Sequence, residues 1–295
     1  MQTYMTNAMR HNITAAGVAL VQVLFITTIL SLIALHFTLT SRQQVNIATI
    51  MQDKVIAELQ LVSWQNRVLY QLMTSSSVSK NIDNLDTNEI DKQWNFYGKP
   101  FYLAENVKVS IQDVEGLLSI STPGKQAQLH AVLKYLQLSD DTVQHIVSEL
   151  EQQQALASNI YQRQPQSPGR KMFLQSLFEM KTLPDMTTEL FTALSNVTTR
   201  LPAVRFNPLH APDMLLRALL PEDIANHALA LRGAGELTVS SYAALTNIDD
   251  YEIYSFVRGE RLLLQIEVSF GAAVAKRRFI CYIRPENKFP LIWLD

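Results

Sequence analysis

The chain has 295 residues and a formal net charge of −2, from 25 Lys and Arg against 27 Asp and Glu. That balance excludes a nucleic-acid binder working through a large basic surface. Its single cysteine, Cys281, excludes an intrachain disulfide and any Cys-based zinc or iron–sulfur centre. Charged residues make up 18%, against roughly 25% in ordinary soluble domains, so some segment must be depleted.

That segment is amino-terminal. No Asp, Glu, Lys or Arg occurs between Asn12 and Ser41, and Val18 to Leu39 is apolar apart from Gln22, Thr27, Thr28, Ser31, His36 and Thr38. About twenty apolar residues span a bilayer as a helix, which satisfies every backbone polar group internally. Three readings compete. A cleaved secretory signal has an apolar core of about 7–15 residues, and this run is longer. A plain anchor fits. So does a signal cut before the apolar run, with Gly17 ending a short polar leader and Val18 opening the span. Arg10 and His11 before the span favour a cytoplasmic amino terminus. Gln22 is the fifth residue counted from Val18, a polar side chain tolerated through hydrogen bonding or one that sets a contact with a neighbour.

No Gly or Pro occurs from Val18 to Tyr97, and apolar residues recur at three- and four-residue steps to about Met73. One helix is therefore expected from Val18 to Met73, its second half amphipathic. Asn81 to Asp91 reads as loop. Phe101 to Leu103 and Val107 to Ile111 read as strands, and Asp113 to Gly116 as a turn. Pro123 to Leu245 reads as helical, with candidates at 126–136, 139–158, 174–181, 186–198, 211–219, 221–232 and 240–245. Gln164 to Lys171 reads as loop. Tyr251 to Val257, Leu262 to Phe270, Arg277 to Ile283 and Leu291 to Leu294 read as strands, with Arg258 to Arg261 a hairpin turn. Strands flanking helices predict an α+β fold: a long amino-terminal helix and a small antiparallel sheet domain interrupted by a large all-helical insertion.

These pieces resemble the K-type minor pseudopilins of bacterial type II secretion systems, from Gly17 to Asp295. Gly17-Val18-Ala19-Leu20 resembles the junction of that family, which also lacks a glutamate where Gln22 stands. Ile111-Gln112-Asp113-Val114-Glu115-Gly116 is similar to its Ile-x-Asp-x-x-Gly turn, placing Asp113 and Gly116. Ser176 and Glu179 match a Ser-x-x-Glu-Leu motif, with Met180 for the leucine. Phe206 to Pro212 is similar to Ile-Asn-Val-Asn-Thr-Ala-Pro, keeping Asn207, Ala211 and Pro212, with Leu209 and His210 in place of the second asparagine and the threonine.

The resemblance implies a leader at 1–17, a pilin helix at 18–75 with its transmembrane part at 18–39, and an α+β domain at 76–121 and 248–295 split by a helical insertion at 122–247. It implies cleavage between Gly17 and Val18 by a prepilin peptidase, methylation of the new amine, and single-pass anchoring in the inner membrane with the carboxy-terminal domain periplasmic. It implies a place at the pseudopilus tip, helping to initiate or cap assembly, with I- and J-type minor pseudopilins and the major pseudopilin as partners. Calcium is the one cofactor the resemblance admits. The family's acidic stretch is reduced here to Ile146-Val147-Ser148-Glu149-Leu150-Glu151, so no ligands carry over.

The rivals lack residues. No Gly-x-Ser-x-Gly, His-Glu-x-x-His, Walker or Gly-x-Gly-x-x-Gly motif occurs, and no two of the six histidines have metal-ligand spacing on one helix face. Asp249-Asp250 reads as a solvated turn. A membrane-anchored helix-hairpin-helix module would need a phosphate-binding hairpin, but Leu220-Pro221-Glu222-Asp223 is acidic, so no nucleic-acid partner is expected. A minor pilin of a type IV pilus or competence system shares the signal region but not the large insertion.

Overall fold

The computed structural model describes residues 5–74, 94–122, 124–158, 174–202, 205–248 and 253–294. The expected loops at 81–91 and 164–171 and the Asp249-Asp250 turn lie outside these residues. The chain divides into two compact units, 1–59 with 269–275, and 60–268 with 276–295.

Helix α1 runs Met5–Thr74. It begins thirteen residues before the expected start, because the leader between Met5 and Gly17 holds no proline to stop it. Within the first unit the helix is exposed all round over the apolar span; Leu20, Leu24, Phe25 and Phe37 are each more than 60% exposed. The hydroxyls of Thr27, Thr28 and Thr38 donate to the carbonyls of Leu24, Leu24 and Ala34. These polar groups are thereby satisfied inside the helix, as a lipid-embedded segment demands. Also in this unit, the Asp53 carboxylate accepts the Ala272 N–H at 3.1 Å beside Gly271, whose φ of +53° turns the chain between two strands.

The second unit holds β1 (Phe101–Ala104), β2 (Val107–Asp113), β3 (Leu118–Ser119), α2 (Gln126–Tyr135), α3 (Asp140–Ser158), α4 (Thr188–Ser195), β4 (Thr198–Thr199), α5 (Asp213–Leu219), α6 (Glu222–Ala234) and α7 (Val239–Thr246). It also holds most of β5 (Arg261–Phe270) and β6 (Ala273–Ile283), and β7 (Leu291–Trp293). Five strands form one sheet in the order β1-β2-β5-β6-β7, with β2 antiparallel to β1 and β5, and β7 antiparallel to β6. Alternate residues bury one face: Val107, Val109 and Ile111 on β2, Leu262, Leu264 and Ile266 on β5, Phe279, Cys281 and Ile283 on β6. Cys281 is the expected buried structural cysteine. The carboxy-terminal part of α1 buries Leu61, Val68, Leu69 and Leu72, and Gln65 accepts a hydrogen bond from Arg277 of β6 at 2.9 Å. A second core joins the helices, including Leu133, Val143, Ile146, Met180, Leu194, Leu215 and Leu216.

Four expectations fail locally. Tyr251 and Glu252 lie outside the described residues, and Ile253 to Val257 is no strand beyond one bridge from Tyr254 to Phe206. Its rings serve side-chain packing instead: Tyr254 meets Phe206 at 6.4 Å and Phe256 meets Tyr242 at 6.0 Å. Arg258 to Arg261 is no hairpin turn, since Gly259 is drawn into a buried hydrogen bond described below; the hairpin turns at Gly271-Ala272. The helix expected at 174–181 is a 3-10 turn, Leu177–Thr182. The helix expected at 186–198 stops at Ser195, because Thr198 and Thr199 pair in parallel with Leu118 and Ser119.

Candidate functional site

Asp113 ends β2, and its side chain is fully buried. Burying a carboxylate costs several kcal/mol unless donors replace water. Here they do. Oδ1 accepts the Glu115 N–H at 3.0 Å, capping the 3-10 turn Val114–Gly116. Oδ2 accepts the Gly259 N–H at 2.9 Å and Asn207 Nδ2 at 3.3 Å, and lies 2.7 Å from His210 Nδ1. The Asn207 amide is oriented by its oxygen, which accepts the Leu209 N–H at 3.1 Å; its nitrogen also donates to the Val257 carbonyl at 3.0 Å. Four polar groups, from the Asp113 segment itself, from 207–210 and from Gly259, thus converge on one carboxylate.

Glycine is required where they meet. A Cβ on Gly116 would lie 2.3 Å from the His210 carbonyl oxygen, which itself accepts Gln112 Nε2 at 2.9 Å. A Cβ on Gly259 would lie 2.6 Å from Asp113 Oδ1. The Asn207 N–H donates to the Glu115 carbonyl at 2.7 Å and closes the junction.

The next turn is held by a buried arginine. Arg232 of α6 donates to the carbonyls of Ala211 at 2.7 Å and Pro208 at 3.2 Å and to Asp213 at 3.1 Å, and lies over the Tyr97 ring. Pro212 then begins α5, its carbonyl accepting from Leu215 and Leu216. Burial lowers the pKa of Arg232 and of Arg258, which faces Asp113 and covers Phe96. The Glu115 carboxyl is raised above its ordinary value, by burial first and by the Asp113 charge second.

The structure therefore brings together Asp113, Gly116, Asn207, Ala211 and Pro212, named from two motif fragments. Glu179 stands apart: its Oε1 accepts the Gln175 N–H at 3.1 Å while Ser176 accepts the Phe178 N–H at 3.2 Å, so both side chains cap the start of the 3-10 turn. Gly17 and Val18 lie inside α1, so the peptide between them is helical rather than extended. Gln22 is on the exposed apolar span. Sequence reasoning missed His210, Gly259 and Arg232. His210 was visible only as a departure from a motif threonine, Gly259 resembled a turn residue, and Arg232 carried no signal.

In this knot the Asp113 oxygens meet four polar partners, the arrangement of a structural tie between chain segments. The Asp113 cluster itself does not present the six to eight oxygens that calcium takes. Among the described residues no group of three or more His, Cys, Asp or Glu could hold a metal. Glu149 and Glu151 sit two apart on α3, on different faces of the helix.

No protein-family model matches the chain, and no curated protein matches it. Among solved structures it is similar to a chain of the GspK-GspI-GspJ complex of the enterotoxigenic Escherichia coli type 2 secretion system, with a TM-score of 0.50 and 14% identity. The match covers 86% of this chain and 97% of that one. The likeness is to GspK, and it is one of fold: the chain has the α+β architecture of a K-type pseudopilin with its long apolar amino-terminal helix.

Proposed function

We propose that the protein is a minor pseudopilin of a type II secretion machinery, anchored once in the inner membrane, with its carboxy-terminal part in the periplasm. On this reading it stands at the pseudopilus tip with I- and J-type partners above the major pseudopilin, and works by assembly rather than catalysis. The observation that carries it is α1. A charge-free span leads without a break into a stalk that still exposes apolar side chains, with Val45, Met51, Val55 and Leu59 each at least 60% exposed. A lipid core takes about twenty residues, so residues from Val45 onward lie past it and call for protein neighbours. A prepilin peptidase would cut before Val18 and methylate the new amine. The helix must first open there, and Gly17 lowers the cost by about 0.5–1 kcal/mol relative to alanine.

Co-expression with a prepilin peptidase, followed by amino-terminal sequencing, tests the processing step. A product starting at Val18 is expected; an intact Met1 terminus would refute it. Co-purification of the full chain with I- and J-type pseudopilins in detergent tests the tip assignment, and absence of a complex would overturn that part.

A further inference from the structure

The sheet ends on an incompletely paired strand. β6 is eleven residues long, but β7 pairs with it only over Cys281 to Ile283. Flanking bonds fix the direction of the backbone groups. Arg284 N–H donates to the Pro290 carbonyl and Leu294 N–H to the Ile280 carbonyl, so even-numbered residues face β7. Ile283 N–H donates the other way, to the Glu260 carbonyl beside β5. Directions alternate along an antiparallel strand. The N–H and C=O of Lys276 and Arg278 therefore point to the side of β7, beyond its end, where no described strand lies. Lys276, Arg277 and Arg278 are exposed.

Three successive cations on an open edge protect against edge-to-edge pairing. That protection acts against a like edge, because a second copy would set its own cations opposite these. An acidic strand reverses the sign of the interaction. Two of the cations are engaged, Lys276 with Glu267 at 3.0 Å and Arg277 with Gln65. Arg278 reaches only the Ser195 carbonyl, at 3.4 Å, and pairs with no carboxylate among the described residues. On the opposite face, which Arg277 shares while bonded to Gln65, Phe279 is buried against Trp293, with ring centroids 4.8 Å apart, and Trp293 remains 48% exposed. Successive side chains of an added strand would meet a cationic face and an aromatic face in turn.

We propose that the open edge of β6 at Lys276–Phe279 takes an extended segment of another protein by strand addition, with carboxylates on the Arg278 face and apolar side chains on the Trp293 face. The site does not depend on the assembly role proposed above. The probe is a fluorescent ten-residue peptide alternating glutamate with valine, titrated by anisotropy onto the full chain in detergent micelles. Binding is expected, with slowed amide exchange at Lys276 and Arg278 and about fivefold weaker affinity for Arg278→Glu, the upper end for one exposed ion pair. A peptide N-methylated at alternate residues should lose binding, because the ladder loses its donors. The proposal is overturned if a lysine–valine peptide binds equally, if the two amides exchange at unchanged rates, or if Arg278→Glu binds as the parent does. Arg278→Ala, which removes the charge without reversing it, checks that any loss is not misfolding: it should retain the parental melting temperature and bind with intermediate affinity.

Discussion

Replacing Gly116 by alanine sets two effects of opposite sign against each other. Gly116 does not occupy the left-handed region, so alanine can adopt its backbone conformation. By restricting the unfolded chain, the substitution would then stabilise by about 0.4–1 kcal/mol. Packing opposes this. The new Cβ would stand 2.3 Å from the His210 carbonyl oxygen, 2.6 Å from its carbon and 3.0 Å from Gln112 Nε2. Ordinary contacts are about 3.5 Å, so the His210 turn must retreat by about 1 Å. Overpacking costs about 1–3 kcal/mol, and losing the Gln112–His210 hydrogen bond about 0.5–1.5 more. Packing should win by about 2 kcal/mol, a fall of roughly 5 °C in Tm for a domain of this size. Gly233→Ala is the control. It lies inside α6 with no heavy atom within 4 Å of the added Cβ, and should stabilise by about 0.5–1 kcal/mol. Near-ultraviolet circular dichroism of the full chain in detergent follows the packed unit without the far-ultraviolet signal of α1. A Gly116→Ala melting temperature at or above the parent's would refute the steric argument.

The junction carries a pH signature through Glu115. Its folded carboxyl holds the proton more tightly than the unfolded one, so its contribution is complete in acid and is lost as pH rises through the raised value. Glu115→Gln should therefore melt above the parent at pH 7, with the gap closing below about pH 4; a pH-independent gap would count against burial as the cause. Asn207→Ala removes donors to Asp113 and Val257 and the acceptor for Leu209, and should cost about 2–3 kcal/mol in chemical denaturation, with a near-neutral result excluding the knot as a structural tie. In the first unit, a Cβ on Gly271 would lie 2.2 Å from Asp53 Oδ2. Gly271→Ala should therefore cost more beside Asp53 than in an Asp53→Ala background, the residue being the left-handed penalty of about 1–2 kcal/mol; equal costs in a double-mutant cycle would show no coupling.

The sequence made the α1 span legible because its apolar composition runs all round the helix, not on one face, long enough to cross a bilayer. The strands β5 and β6 were legible for a similar reason: burial alternates with period two from Leu262 to Val268. Tyr251 to Val257 has the same β-rich composition, but its described part, 253–257, forms only the bridge from Tyr254 to Phe206, and composition does not report partners. Thr198 and Thr199 escaped for the converse reason, since their pairing with Leu118 and Ser119 joins residues about eighty apart. The knot was half legible. Family-like fragments flagged Asp113, Gly116, Asn207, Ala211 and Pro212 as constrained, but only geometry shows that Asp113 and Asn207 constrain each other directly. His210 and Gly259 complete the same carboxylate, although one had looked like a motif departure and the other a turn residue.

The two constrained regions place opposite demands on polarity. The knot removes a charge from water and supplies four partners to it, which fixes where the chain enters and leaves its helical segment. The span removes charge altogether, and its hydroxyls at Thr27, Thr28 and Thr38 turn back onto the helix. Gln22 cannot follow them fully, since a side-chain amide offers two donors and two acceptor sites, more than the carbonyl of a preceding turn can use. A neutral amide tolerates lipid better than a carboxylate and needs no cation from a neighbour. It leaves hydrogen-bonding capacity that another helix in the same apolar layer can fill. Within the proposed assembly, Gln22 suits a subunit with partners beside and below it but no subunit above whose amine must be neutralised.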